Sequence, residues 1–152
     1  MMADDHTEAE ALEPEARPAD PRAEAFQGVR EARRNELAED YVELIAELIH
    51  EHGEARPVDI ATKMGVTAPT VAKTLGRLAR DGLITRAKYR SVFLTEEGRA
   101  LARVCQQRHE IVLRFLLSLG LDPETAERDA EGIEHHVSEQ TLALFAAFAD
   151  RS

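Results

Sequence analysis

Three glycine-bearing breaks constrain this chain more than any other feature. Gly53, Gly65 and the Asp81-Gly82 pair cut the stretch from Leu37 to Gly82 into three segments that read as helices. In the first, Leu37, Tyr41, Leu44, Ile45 and Leu48 recur at helical spacing to about His52. Gly53 stops it. The second, residues 57–64, enters through Pro57, whose fixed φ suits a first helical turn. The third, residues 67–81, has Thr67 as N-cap and ends at Asp81-Gly82. Leu83-Ile84-Thr85 and Ser91-Val92-Phe93-Leu94-Thr95 then flank a basic turn with Arg86, Lys88 and Arg90, the pattern of a small hairpin.

Beyond the hairpin the spacing is helical again. Leu101, Val104, Ile111, Val112, Phe115 and Leu116 predict a long amphipathic helix from Thr95-Glu96-Glu97 to about Leu119. Asp122-Pro123-Glu124 opens another helix, expected to run to about His136. Ser138 caps a last one carrying Leu142, Leu144, Phe145 and Phe148. Residues 1–25, rich in Ala, Glu, Asp and Pro, cannot bury enough surface to offset chain entropy and read as a disordered acidic tail. The expected architecture is mainly α: a winged helix-turn-helix over residues 26–95, then an all-helical domain over 96–152. A chain of 152 residues can hold two small domains of this kind and little more.

Charge is segregated along the chain. Residues 53–95 carry 8 basic and 3 acidic side chains, although the whole chain has a formal net charge of -10. Local charge, not the overall balance, is what a phosphate backbone meets. One cysteine excludes a disulfide scaffold and a cysteine-rich zinc module. The longest apolar run, Ile111–Leu121, is broken by Arg114 and Ser118 and cannot span a membrane. The acidic start lacks the apolar core of a secretory peptide, so a soluble cytoplasmic setting is expected.

The order helix, turn, helix, basic hairpin predicts a reader of double-stranded DNA. Ala61 is small where two helices approach, Gly65 supplies the positive φ of the tight turn, and Val66 and Val71 are expected to pack the pair. The second helix would enter the major groove N-terminus first with Thr67, Pro69, Thr70 and Lys73. Arg77, Arg80, Lys63, Lys88 and Arg90 would meet phosphate, which positions the protein without reading sequence. The plainer reading is a small helical domain that packs against protein.

A second constellation points to metal. Glu131, Glu134 and His135 in Asp129-Ala-Glu-Gly-Ile-Glu-His-His-Val-Ser138 are spaced i, i+3, i+4 and share one helical face. Carboxylates this close repel, which a cation would relieve. His136 points about 100° away and is not expected to ligate with them. Asp40 and Glu43 border the apolar stripe of the first helix. His109 lies at the edge of the apolar arc of the long helix. Each has a bland reading: a polar helix surface, an acidic face shared with Glu36, Glu39 and Glu47, or a satisfied interface histidine. His50 and His52 read as surface residues and Cys105 as a small buried side chain.

Taken together, Asp40-Tyr-Val-Glu43, Arg108-His109-Glu110 and Glu131-Gly-Ile-Glu134-His135-His136, with a winged helix-turn-helix between the first two, resemble the diphtheria-toxin-repressor family of metal-dependent transcriptional repressors. The resemblance covers roughly residues 26–150. It implies that the helical domain binds metal and dimerises. It also implies that Asp40, Glu43, His109, Glu131, Glu134 and His135 are metal ligands, with two metal ions per subunit. The implied function is a homodimer that binds operator DNA and represses manganese-uptake genes. The iron-responding branch has a methionine and a cysteine where this chain has Asp40 and Glu134, which favours Mn²⁺ as effector, with Fe²⁺ as a second candidate. Two other classes compete: a carboxylate–histidine metalloenzyme, and a DNA-binding protein indifferent to metal. Against the enzyme, no further nucleophile or acid–base group accompanies the cluster.

Overall fold

The computed structural model describes residues 20–86 and 91–152. Its order is α1 (Pro21–His52), α2 (Pro57–Met64), α3 (Ala68–Arg80), β1 (Ile84–Arg86), β2 (Val92–Leu94), α4 (Glu96–Ser118), α5 (Pro123–Ile133) and α6 (Glu139–Ala149). The expected mainly α architecture is observed. Among the described residues no helix is long and apolar enough to cross a membrane.

Local chemistry sets most element ends. Gly53 and Gly65 close α1 and α2 in the left-handed region, at φ 79° and 67°, where a side chain would be strained. Thr67, Thr95, Asp122 and Ser138 each accept a backbone N–H at the start of α3, α4, α5 and α6. The strands pair antiparallel, with Ile84 opposite Leu94 and Arg86 opposite Val92. A backbone bridge from Val92 to Ala55 ties this wing to the α1–α2 turn.

Two cores follow. Tyr41, Val42, Ile45 and Leu48 of α1 pack with Ile60, Val71, Leu75, Leu78, Ile84 and Val92 in the winged half. Val112 and Leu116 of α4 pack with Ala126, Ala130 and Leu142 in the helical half. Phe115 stacks on Phe145 there, ring centroids 3.9 Å apart. Helix α4 belongs to both: Ala102 joins the first core and Val112 the second. It also packs against α1, α5 and α6, so one rigid rod sets how the two halves face each other.

Three expectations need adjusting. Helix α1 begins at Pro21, behind an Asp20 cap, inside the 1–25 stretch expected to be a disordered tail; residues 1–19 lie outside the described residues. Helix α5 stops at Ile133 rather than near His136, because the chain must turn there before the Ser138 cap opens α6. Val66, expected to pack the helix pair, is 36% exposed, and Val71 alone is buried. Lys88 and Arg90 of the basic turn lie outside the described residues.

Candidate metal centre

The centre sits where α1 crosses the α5–α6 turn and the middle of α4. Asp40 and Glu43 stand on α1 between buried residues of the first core: Tyr41 and Val42 separate them, and Leu44 follows. Burial of those neighbours fixes the rotation of α1 and turns both carboxylates toward the helical half. His109 comes from α4 and Glu131 from the last turn of α5. Glu134 caps α5 in right-handed backbone, so the i, i+3 relation to Glu131 survives although the helix has ended.

Glu134 is the hub. Its side chain is 1% exposed. One oxygen, Oε2, lies 2.9 Å from His109 Nδ1, and Oε1 lies 3.4 Å from His135 Nε2. Glu131 Oε1 is 3.7 Å from His109 Nδ1. Asp40 Oδ1 is 3.0 Å from His135 Nε2, but off the line a hydrogen bond requires. Glu134 Oε1 and His135 Nε2 are therefore buried polar atoms without a hydrogen-bond partner. Such orphans are rare and destabilising, and here a carboxylate oxygen faces a ring nitrogen that can offer a lone pair once its proton is expelled. A cation is the group that satisfies two such donors together.

The six residues singled out from sequence all reach this junction. Donor atoms of Glu43, Glu134 and His135 lie within 4.8 Å of one another, as do those of His109, Glu131 and Glu134. A third trio, Glu36, Asp40 and His135, is equally close. Three neighbours were not among the expected ligands, Glu36 and Glu39 having been read as a plain acidic face: Glu36 is 2.9 Å from His136 Nε2, Glu39 2.6 Å from His135 Nδ1, and Glu127 2.9 Å from His109 Nε2. A signal was present. Glu36, Asp40 and Glu43 on α1, and Glu127, Glu131 and Glu134 on α5, share the spacing i, i+4, i+7 that lines one face of a helix. His136 is half exposed and turns to Glu36, apart from the other donors.

Crowding shapes the electrostatics. Burial, with Glu131 nearby, pushes the Glu43 carboxyl up from 4.5 to about 7. Burial and Glu43 do the same to Glu134, also to about 7. His135 moves oppositely in charge: burial opposes its protonation, but Asp40 and Glu39, one at each ring nitrogen, outweigh it and lift it from 6.5 to about 10. His109 is raised as well, its burial outweighed by Glu134, Glu127 and Glu131. Cys105, buried on α4 a turn before His109, is pushed up to about 12 by burial and by Glu39. It stays a thiol at neutral pH and offers no thiolate.

A pH dependence follows. Metal ligation needs these groups deprotonated, so cation binding must expel protons held by Glu43, Glu134 and His135. The apparent affinity for a divalent cation should therefore rise with pH through about 7. The metal-free protein should do the reverse in stability. A raised carboxyl contributes stability below 4.5 that is lost as pH rises through 7. His135 adds a loss that begins above 6.5 and completes near 10. Melting curves with and without metal at about pH 5.5 and 8 check both signs: the metal-free melting temperature should fall between them and the metal-induced gain should grow.

Most of the residues expected to face DNA lie apart from this junction. Thr67, Pro69, Thr70 and Lys73 are exposed at the start of α3, and Arg77 is half-buried further along it. The Thr67 and Thr70 hydroxyls lie 2.9 Å apart, and Thr67 caps the Thr70 N–H, so Thr67 shapes the helix start as well as its surface. Arg86 of the wing donates to the Ala72 carbonyl and braces the helix from outside. Lys63, exposed at the end of α2, lines a cleft that also holds Asp40, Glu43 and Glu131.

Comparison with known proteins falls on the same two halves. Residues 35–92 match the family model described as iron dependent repressor, N-terminal DNA binding domain. Residues 95–151 match the iron dependent repressor, metal binding and dimerisation domain. The transcriptional regulator MntR of Escherichia coli O6:H1 is 59% identical over 128 residues, 84% of this chain and 83% of that protein. The protein of the same name from Salmonella typhimurium is 58% identical over 84% of this chain and 82% of that protein. The structure of the manganese regulator SloR superposes with a TM-score of 0.66 at 28% identity. That match covers 76% of this chain and 54% of the SloR chain, so this chain spans about half of that length.

Proposed function

The chain belongs to the iron-dependent-repressor family, the diphtheria-toxin-repressor group of metal-responsive transcriptional regulators, and on that premise we propose that Mn²⁺ is its effector. It is a repressor and not an enzyme. The observation that carries the proposal is the pair of buried, unpartnered donors, Glu134 Oε1 and His135 Nε2, inside a ring of further carboxylates. Asp40, Glu43, His109, Glu131, Glu134 and His135 would hold two ions per subunit, with Glu134 common to both donor trios that these six residues form. Four carboxylates and two imidazoles, with the only thiol protonated, suit a hard or borderline cation. The structural similarity to the manganese regulator SloR points the same way. Fe²⁺ is the nearest alternative. Zn²⁺ binds such donors at least as tightly by the Irving–Williams order, so selectivity rests on coordination number and geometry.

Asp40 and Glu43 belong to the DNA-binding half; the other four ligands belong to the helical half. When bound, the cations supply the positive charge that lets four crowded carboxylates share one junction. Glu134 and His135 then hold α1 against α4 and the α5–α6 turn. In a homodimer assembled through the helical halves this fixes the two α3 helices near the spacing of about 34 Å, or a multiple, that successive major-groove half-sites require. Thr67, Pro69, Thr70 and Lys73 would approach base edges, and Lys63, Arg77, Lys88 and Arg90 the phosphates.

Fluorescence anisotropy on promoter DNA of a manganese transporter gene from the same genome tests this. Metal-stripped protein, titrated with Mn²⁺, Fe²⁺ or Zn²⁺ at one salt concentration, should bind tightly with Mn²⁺ and release on chelation. Lys73→Ala should weaken DNA binding about 10-fold, the effect of losing roughly 1–2 kcal/mol at the groove, and leave Mn²⁺ affinity unchanged. Equal DNA binding with and without metal would leave the acidic junction without a regulatory role.

A further inference from the structure

Two carboxylates at the junction belong to none of the three close donor groups. Glu39 and Glu127 each contact a histidine that does, and each does so at the far side of the ring. An imidazole has one nitrogen on either side, so what holds one nitrogen decides what the other can do. His135 meets Glu39 through Nδ1 at 2.6 Å, and its Nε2 faces Asp40 and Glu134 without a hydrogen bond. His109 is turned the other way: Nε2 meets Glu127 at 2.9 Å, and Nδ1 hydrogen-bonds Glu134 at 2.9 Å and faces Glu131.

From this geometry we infer that Glu39 and Glu127 are positioning residues, each locking one histidine in the tautomer and rotation that offers its inner nitrogen to a divalent cation. Glu39 accepts the His135 Nδ1–H, leaving the Nε2 lone pair for the junction. Glu127 accepts the His109 Nε2–H, so a cation can take the Nδ1 lone pair in place of the hydrogen bond to Glu134. An ionised acceptor on the outer nitrogen also makes the inner one a stronger donor. The two locks differ in setting. Glu39 is 14% exposed beside a ring that is 2% exposed, whereas Glu127 is 53% exposed. The Glu39 contact is therefore less screened by solvent, and its loss should be felt more. The inference rests on the metal-centre reading above and adds two residues and a division of labour to it: Glu39 serves the ion held by His135, and Glu127 the ion held by His109.

Mn²⁺ binding to the full chain, followed through the electron-paramagnetic signal of free Mn²⁺, tests it with Glu39→Ala, Glu39→Gln and Glu127→Ala. Glu39→Ala should weaken one binding step 10–100-fold, the range typical of carboxylates behind a ligating histidine. Glu39→Gln, which keeps a hydrogen-bond acceptor, should recover most of that loss. Glu127→Ala should weaken the other step by less. A merely structural role would not give rescue by Gln or a loss confined to one step. Nitrogen-15 spectra of the Zn²⁺-loaded protein give a second readout: His135 should carry its proton on Nδ1 and His109 on Nε2. Wild-type Mn²⁺ affinity in both Ala variants overturns the inference, as does equal loss in both steps with a lowered metal-free melting temperature. Failure of the unmodified protein to bind Mn²⁺ would instead overturn the metal-centre reading.

Discussion

Glu134→Gln should abolish metal-dependent DNA binding while leaving a folded protein. The substitution keeps the volume and removes one charge from a side chain that is 1% exposed. Glu134 contacts both ligand histidines and contributes to two donor trios, so its loss should disturb every ion held at the junction. Mn²⁺ affinity should fall by at least about 100-fold, more than the loss of a carboxylate standing behind a ligand. The metal-free variant should melt higher than the metal-free wild type at about pH 8, because burial opposes the ionised form of Glu134 and an amide carries no such penalty. Calorimetric Mn²⁺ titration with paired melting curves reads both effects. Retained Mn²⁺ affinity would remove Glu134 from the centre.

Gly98→Ala should damage the fold itself, at the point where α4 leaves the wing. A Cβ on Gly98 would lie 2.1 Å from the Leu83 carbonyl oxygen and 3.2 Å from Leu94 Cδ2. Backbone must move, because the nearest atom is a carbonyl and not a flexible side chain. That carbonyl also accepts the Thr95 N–H at 3.0 Å, and the Thr95 hydroxyl both caps α4 and donates to Gly82. One added methyl therefore disturbs the wing, the cap and the angle at which α4 sets off. Overpacking of this kind costs about 1–3 kcal/mol or more, a fall of roughly 2–12 °C in melting temperature for a chain of this size. DNA affinity should drop with it, since the wing and α3 share the first core with α4. An unchanged melting temperature would mean that α4 and the wing are not rigidly joined.

These two positions differ in how legible they were. The proposed ligand role of Glu134 was legible in the local string Glu131-Gly-Ile-Glu134-His135, whose spacing brings its members together. The helix-turn-helix was equally local: Pro57, Gly65, Thr67 and Asp81-Gly82 each impose a backbone preference within a few residues of where they stand. Gly98 carried no such mark, because its requirement comes from a carbonyl across the α4–wing contact. The role of Glu39 was invisible for the same reason, and Glu127 showed only in the helical spacing it shares with Glu131 and Glu134. Glu39 is 96 positions from the histidine it touches, and only the packing of α1 on the α5–α6 turn joins them. The α5 end was misplaced because the charged residues after Ile133 remain compatible with helix; the turn is imposed by the burial of Glu134 and His135. The basic wing tip at Lys88 and Arg90 is outside the described residues, and its part in DNA contact rests on charge pattern alone.

The central claim is that one metal centre joins the DNA-binding half to the helical half, so that metal and DNA each favour the same arrangement. Linkage makes this testable without any variant: whatever factor Mn²⁺ adds to DNA affinity, DNA must add to Mn²⁺ affinity. The decisive measurement is the Mn²⁺ dissociation constant of the wild-type protein with and without a saturating operator duplex, at one pH and salt concentration. The duplex should tighten Mn²⁺ binding, by about 5–150-fold for couplings of ordinary size. The same Mn²⁺ affinity in both samples would contradict it.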